Sequence, residues 1–520
     1  MRARSIGTAA AAALALVAAR DLVQKKHALL RNFPLIGHAR YLLETIGPEL
    51  RQYIVTSNEE ERPFSRDQRT WIYASAKEEN NYFGFGTDVD VEHVQGHAYL
   101  KQRTFADALS EARGGHDPQS SLPSAKLLGG PRGRAKAFRP ASVVNISAMS
   151  FGSLSGAAVT ALNKGAALAG TLHNTGEGGL SPYHRNGGDL VLQIGTAYFG
   201  CRNEDGSFNL DKLKDTVVGA PVRAIEIKLS QGAKPGLGGM LPGAKVTEEI
   251  AAIRGIPVGK DCASPSRHTA FRDVDSMLDF VELLAAETGL PVGIKSAVGE
   301  MGFWRELATL MARGDRGVDF VTVDGGEGGT GAAPLTFADS VSLPFRMGFS
   351  RVYGTFAERG LTDDLTFIGS GKLGLPENAA VAFALGVDMI NVAREAMLSI
   401  GCIQSQKCHT DKCPTGIATQ SAWLARGLDP ASKATRAAVY LRTLRKELTK
   451  LSAAVGVAHP SLITATDIEI LNGDYEARTL AAVYGYKDGW GQLGPRLAGE
   501  ITTLLATEPG TGSQPAVRPH

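Results

Sequence analysis

Three cysteines, Cys402, Cys408 and Cys413, fall within twelve residues and the last is followed by Pro414. Thiolates at that spacing on one loop suit a metal ion or an iron–sulfur cluster, because the loop can fold around an inorganic core that each sulfur holds. Three ligands match a cluster of three irons. A four-iron cluster needs a distant fourth ligand such as Cys201 or Cys262. Zinc needs His409, which directly follows Cys408 and is badly placed to turn onto the same tetrahedral ion. Inert thiols are the remaining alternative. Cys201 and Cys262 stand alone and read as small buried side chains.

A second set of residues recurs where short apolar runs end. Ala148, Met149 and Ser150 follow one run, and Glu177 lies in the Gly-rich stretch after the next. The third run contains Gln193, and later runs end at Lys228 and Lys295. The last three lead to Gly325 and Gly326, to Ser370 and Gly371, and to Arg394 beside Ala393. Glycine-flanked strand ends let backbone N–H groups converge on a phosphate. A phosphate there suits a mononucleotide such as FMN, whereas no G-x-G-x-x-G turn follows an early run, against tightly held NAD or FAD. A flavin also needs positive charge near N1, for which Lys228 and Lys295 are candidates, and donors near N5 and O4, for which residues 148–150 are. Gln193 is a further candidate contact to the cofactor.

These residues must be held by regular elements. Val- and Ile-rich runs at 145–150, 171–176, 190–196, 224–230, 291–298, 320–326, 365–371 and 387–393 alternate with helical patterns at 155–169, 247–254, 273–287, 304–313, 350–359 and 376–385. Eight alternating units predict an α/β fold, a (β/α)8 TIM-type barrel over 141–425, with its chemistry at the strand ends. An N-terminal extension, 21–140, is expected to pack on the barrel, with one helix at 42–57 and a long loop at 114–140. Residues 426–520 are expected to be a C-terminal helical region, with a helix at 433–454 and disorder after 508. Residues 6–19 are small and apolar behind Arg2 and Arg4. That run is too short to span a bilayer, and basic residues follow it. It predicts a membrane anchor on a cytoplasmic body, with a secretory signal as the alternative. A formal charge of +2 over 520 residues provides no basic field for nucleic acid, and five cysteines form no disulfide framework.

The motifs ISAMSFGSLSG (146–156), NTGEGG (174–179), IKLSQGAKPG (227–236), LPGAKVTEEIAAIR (241–254), VDGGEGGTGAAPL (323–335), GSGKL (369–373) and GCIQSQKCHTDKCPTGIATQ (401–420) resemble the FMN-binding synthase domain of glutamate synthases. The resemblance covers about residues 144–420. It implies a barrel carrying FMN and a three-iron, four-sulfide (3Fe-4S) cluster, with the three cysteines matching the cluster ligands one for one. It also implies reduction of 2-iminoglutarate, formed from 2-oxoglutarate and ammonia. By position, Lys234 and Arg254 would hold the substrate carboxylates and Glu177 would stand at the reacting centre. Taken without the resemblance, Arg254 reads as an arginine satisfying a helix C-terminus.

Three departures bear on the reaction. No cysteine precedes Cys201, so the nucleophile of an amidotransferase domain is not expected, and ammonia would come from solution or a separate amidotransferase subunit. The β-helical domain that follows the barrel in the family is not expected within residues 426–520. Met240 stands where the family carries a substrate-contacting Gln, and Leu237 where an acidic residue is usual. Met donates no hydrogen bond to a carboxylate, which keeps two alternatives to glutamate synthesis open. One is an amine or amino-acid dehydrogenase or transferase; the other is a membrane-attached electron relay. The electron donor is expected to be a ferredoxin or a reductase.

Overall fold

The computed structural model describes residues 2–24, 28–57, 60–87, 89–91, 93–106, 121–472 and 476–507. The expected disorder after 508 and part of the expected loop at 114–140 lie outside them. Two compact units divide the chain, Met1–Arg69 and Thr70–His520.

In the larger unit eight parallel strands close into a barrel. They are β1 (Val144–Ile146), β2 (His173–Asn174), β3 (Leu190–Ile194), β4 (Val222–Lys228), β5 (Val292–Ala297), β6 (Phe320–Asp324), β7 (Thr366–Ser370) and β8 (Met389–Val392). Each pairs with its neighbour in chain order, and β8 returns to β1. All eight expected runs are strands. Both faces of these strands are covered, which is why they read as near-continuous apolar runs rather than alternating ones. Register aligns their functional ends: Lys228 pairs with Lys295, and Asp324 with both Ala297 and Ser370.

The helices begin and end where local chemistry dictates. Ser155, Thr247 and Asp273 each accept a backbone N–H at the start of the helices Gly156–Ala169, Glu248–Arg254 and Val274–Thr288. Gly170, Gly255 and Gly289 close the same helices in the left-handed conformation. Residues 121–140 are not a free loop. Leu128 plugs the amino-terminal end of the barrel against Ala224, Phe320, Ile368 and Met389. Lys126 pairs with Asp388 at 2.8 Å, and Arg134 with Glu282 at 2.6 Å and Asp319 at 3.0 Å.

The C-terminal region holds the long helix Pro430–Val455 and a further helix, Pro495–Thr507. It also contributes Ile468–Leu471 and Ala477–Thr479 to a three-stranded antiparallel sheet with Ala98–Leu100. The sequence reading missed this sheet, because its first partner lies far away in the chain.

In the smaller unit, residues 6–19 lie in the helix Arg2–Val23. No helix among the described residues is long and apolar enough to cross a membrane. The helix expected at 42–57 begins earlier, at Gly37, and its last residues, Arg51–Val55, widen into a π-turn just after Pro48.

Candidate active site at the carboxyl ends of the strands

Glu177 is the centre of the polar cluster. It follows Gly176, whose φ of +67° and tight approach to Ser150 (an added Cβ would lie 2.7 Å from its amide nitrogen) exclude a side chain there. Gly195 and Gly239 wall the carboxylate from two sides, since a Cβ on either would lie within 3 Å of it. Lys228, at the end of β4, donates to Glu177 Oε1 at 2.8 Å. Burial by itself raises the pKa of Glu177, but Lys228 overcomes it and holds the carboxyl below its ordinary range.

Lys234 and Arg254 complete the cluster. Lys234 is 4% exposed, and among the described residues its Nζ donates only to the Ala332 carbonyl, at 3.2 Å. Burial, with the like charge of Lys228, pushes it down to about 8. Arg254 is 5% exposed; one terminal nitrogen donates to the Phe151 carbonyl at 3.1 Å and the other lies 4.0 Å from Cys262 Sγ. Its Nε has no hydrogen-bond partner among the described residues. Burial lowers its pKa as well. Arg254 is thus no rim residue spent on a helix end: its guanidinium turns inward beneath the loop after β1.

On the neighbouring strands, Lys295 lies 3.5 Å from Asp324. Burial raises the Asp324 carboxyl, yet Lys295 and the Gly232 amide at 2.8 Å hold it below the ordinary range. Ser370 bonds to the same carboxylate. Ala148, Met149 and Ser150 follow β1 directly, and the Met149 amide reaches the Asn174 carbonyl.

Some expected cofactor contacts are otherwise engaged. The Gln193 amide donates to Glu226 inside the barrel at 2.6 Å, together with Asn174 and Thr322. The amides of Gly325 and Gly326 are taken by the carbonyls of Ser370 and Leu343. In that corner Ser370 ends β7, Gly371 follows it, and Arg394 donates to the Glu327 carbonyl.

The cysteine loop is bound to the loop after β1. Gln420 donates to the carbonyls of Gly152 and Leu154 at 3.1 and 2.9 Å, and Ser155 to that of Gly416 at 2.7 Å. Within it, Gln404, Gln406 and Asp411 adopt positive φ, an uncommon conformation for side-chain-bearing residues that marks functional loops. The Gln404 amide points at Cys402 Sγ at 3.4 Å, and Thr415 Oγ1 lies 3.5 Å from Cys413 Sγ. Burial and the neighbouring Cys413 push the Cys408 thiol up. Amides and hydroxyls turned onto sulfur are the surroundings an iron–sulfur cluster uses. Among the described residues no three His, Cys, Asp or Glu side chains are arranged to hold a single metal ion, and His409 is exposed.

Sequence reasoning missed the supports. His268 reaches the Lys228 carbonyl through Nε2 at 2.9 Å and Tyr198 through Nδ1 at 3.2 Å, and burial lowers it to about 4. His184, also lowered to about 4 by burial, contacts the Met149 carbonyl at 3.3 Å. Tyr73 donates to the Cys402 carbonyl at 2.7 Å. Single aromatic and histidine residues outside the glycine clusters carried no spacing signal.

The conserved region in glutamate synthase matches residues 132–458. The glutamate synthase large subunit-like protein YerD of Bacillus subtilis (strain 168) is 40% identical over 469 residues, covering 85% of this chain and 89% of that protein. The archaeal-type glutamate synthase (NADPH) of Thermotoga sp. (strain RQ2) is 34% identical over 348 residues, covering 66% of this chain and 64% of its own length. The chain thus spans less than two thirds of that relative. Among solved structures, a mandelate oxidase with benzoyl-formic acid aligns at 13% identity and a TM-score of 0.40, covering 74% of this chain and 86% of that one. The family match and the closed barrel define an oxidoreductase of the glutamate synthase type. The chain belongs to the glutamate synthase family.

Proposed function

We propose that the chain reductively aminates 2-oxoglutarate, by way of 2-iminoglutarate, to glutamate. FMN would sit at the carboxyl ends of the strands, with a 3Fe-4S cluster on Cys402, Cys408 and Cys413. The observation that carries the assignment is a gathering of buried cations: Lys228, Lys234 and Arg254 act on Glu177, and Lys295 and Lys228 on Asp324, while Lys234 and Arg254 form no ion pair among the described residues. A buried surplus of cations favours an anionic occupant, and a dicarboxylic imine beside a flavin fits it.

FMN bound there would supply hydride to the imine carbon and pass electrons to and from the cluster. The protein's own groups do the rest. Lys234 and Arg254 hold the two carboxylates and so fix the imine carbon in one orientation. Glu177, kept ionised by Lys228, accepts a hydrogen bond from the iminium N–H. Lys295, anchored by Asp324, and Lys228 would offset negative charge near N1 of the ring, and residues 148–150 would donate near N5 and O4. Ser370, Gly371, Arg394 and the backbone bend at Gly325 and Gly326 frame the phosphate. The FMN-binding unit is placed at 141–425, with 1–20, 21–140 and 426–520 as accessory segments. Ammonia comes from solution or a separate amidotransferase subunit, and electrons from a ferredoxin or a reductase. A cytoplasmic site of action fits five free cysteines.

A second assignment rests on Met240, which is 46% exposed on the short strand Met240–Leu241 and follows Gly239, the glycine packed against Glu177. A thioether there suits a substrate without a second carboxylate, as in an amine or amino-acid dehydrogenase. Anaerobically purified protein is expected to hold one FMN and about three irons per chain, to lose the iron in Cys408→Ser, and to form glutamate from 2-oxoglutarate, ammonia and a reduced donor. Zinc in place of iron overturns the cluster. Fully loaded protein that makes no glutamate with any donor, but whose flavin is rapidly reduced by an amine, establishes the second assignment instead.

A further inference from the structure

Lys245 is a buried cation with no anion. It ends the short turn Gly243–Lys245, is 2% exposed, and has no carboxylate among the described residues within ion-pair distance. Its Nζ donates to three backbone carbonyls: Ser153 at 2.6 Å, Ala418 at 3.2 Å and Cys408 at 3.5 Å. The first belongs to the loop after β1, and the other two to the cysteine loop. Carbonyl dipoles solvate an ammonium only in part, and an uncompensated buried charge is strongly destabilising. The acidic groups whose field it feels are Asp411, Cys408 and Cys413. Asp411 is already engaged by the Gln420 amide at 2.7 Å and lies within the cysteine loop itself.

We propose that Lys245 is the counter-charge of the iron–sulfur centre, pinning the ligand loop to the loop after β1 and raising the centre's reduction potential. The inference rests on the cluster assigned above. One-electron reduction adds one negative charge to the thiolate-bound core, while the ammonium keeps its protons in both states. No proton moves, and the positive charge simply favours the reduced form. Lys245 is a positioning residue: it touches the Cys408 backbone and neither sulfur nor substrate.

The test is a redox titration of the anaerobically purified full chain, followed by the cluster's electron paramagnetic resonance signal, with iron and sulfide counted in each preparation. Lys245→Met is expected to lower the one-electron reduction equilibrium at least tenfold, about 59 mV in midpoint, and Lys245→Arg to recover most of the shift. If Met loses iron while Arg retains it, the charge is needed to hold the loop, which supports the proposal. If Met keeps the native iron content with an unmoved midpoint, the proposal is overturned although the cluster stands. Loss of iron in both variants assigns Lys245 to packing and overturns it equally. Unmodified protein without iron sinks the cluster, and the counter-charge with it.

Discussion

The two ends of the barrel handle buried charge in opposite ways. At the amino-terminal end, Lys126 and Arg134 meet three carboxylates, Asp388, Glu282 and Asp319. The Lys126 ammonium is further satisfied by the Thr362 and Leu365 carbonyls at 2.6 and 2.9 Å. At the carboxyl end Lys234 and Arg254 form no ion pair among the described residues, Arg254 Nε lacks a partner among them, and Lys234 is pushed down to about 8. A fully paired network serves the fold. An unbalanced one stores unfavourable desolvation that an anionic ligand can relieve, as expected where barrel enzymes place their chemistry.

Substitution at the paired end tests stability first. Lys126→Met leaves Asp388 buried and unpaired, and breaking such a pair costs about 3–5 kcal/mol. A urea titration should show that loss, with turnover per folded molecule unchanged. A fall in turnover without a fall in stability would erase the contrast. At the unbalanced end the expectation is reversed. Arg254→Gln should lower kcat/KM for 2-oxoglutarate, the proposed substrate, about 100-fold, the effect of removing a charge-assisted contact worth about 3 kcal/mol. Unfolding free energy should stay within about 1 kcal/mol of the parent, since Arg254 bonds directly to a backbone carbonyl and a thiol rather than to a carboxylate among the described residues. Strong destabilisation with kcat/KM intact would show that Arg254 is structural after all.

The contrast also explains what was legible in the sequence. The eight strands announced themselves as apolar runs, and their ends carried glycine, lysine and carboxylate clusters that only a shared rim accounts for. Lys228, Glu177, Lys295 and Asp324 do meet there. The paired end was illegible. Lys126 and Arg134 sit in a Gly/Pro/Ser/Arg stretch with no period, and their partners lie 262 and 148 residues away. Gln193 misled for a related reason: strand alternation aims it at Glu226 in the interior rather than at the rim. Arg254 was legible only through the resemblance, because a helix-terminal arginine has an ordinary explanation nearby. His268 and Tyr198 support Lys228 through single contacts to backbone and ring, which no sequence spacing encodes.

The smallest effect expected is on pH dependence, and it isolates Lys234. An ordinary lysine keeps its proton to about pH 10.4, but burial and Lys228 bring Lys234 down to about 8. Below that value it is an ammonium and can hold a carboxylate. As pH rises through 8 it loses its proton in the free enzyme while Glu177, lowered rather than raised, keeps its charge. Binding of the dianion should therefore weaken on the alkaline side, with KM rising about tenfold for each pH unit above 8 and kcat changing less. The stability sign runs the other way. A folded pKa depressed below the unfolded one means that burying the ammonium opposes folding at low pH, and the penalty fades between about pH 8 and 10.4. Lys234→Arg keeps a charge that does not titrate in this range, so the alkaline rise in KM should vanish even if the absolute KM is worse. An alkaline rise that persists in Lys234→Arg would assign the titration to another group and return Lys234 to the class of cations that merely line the rim.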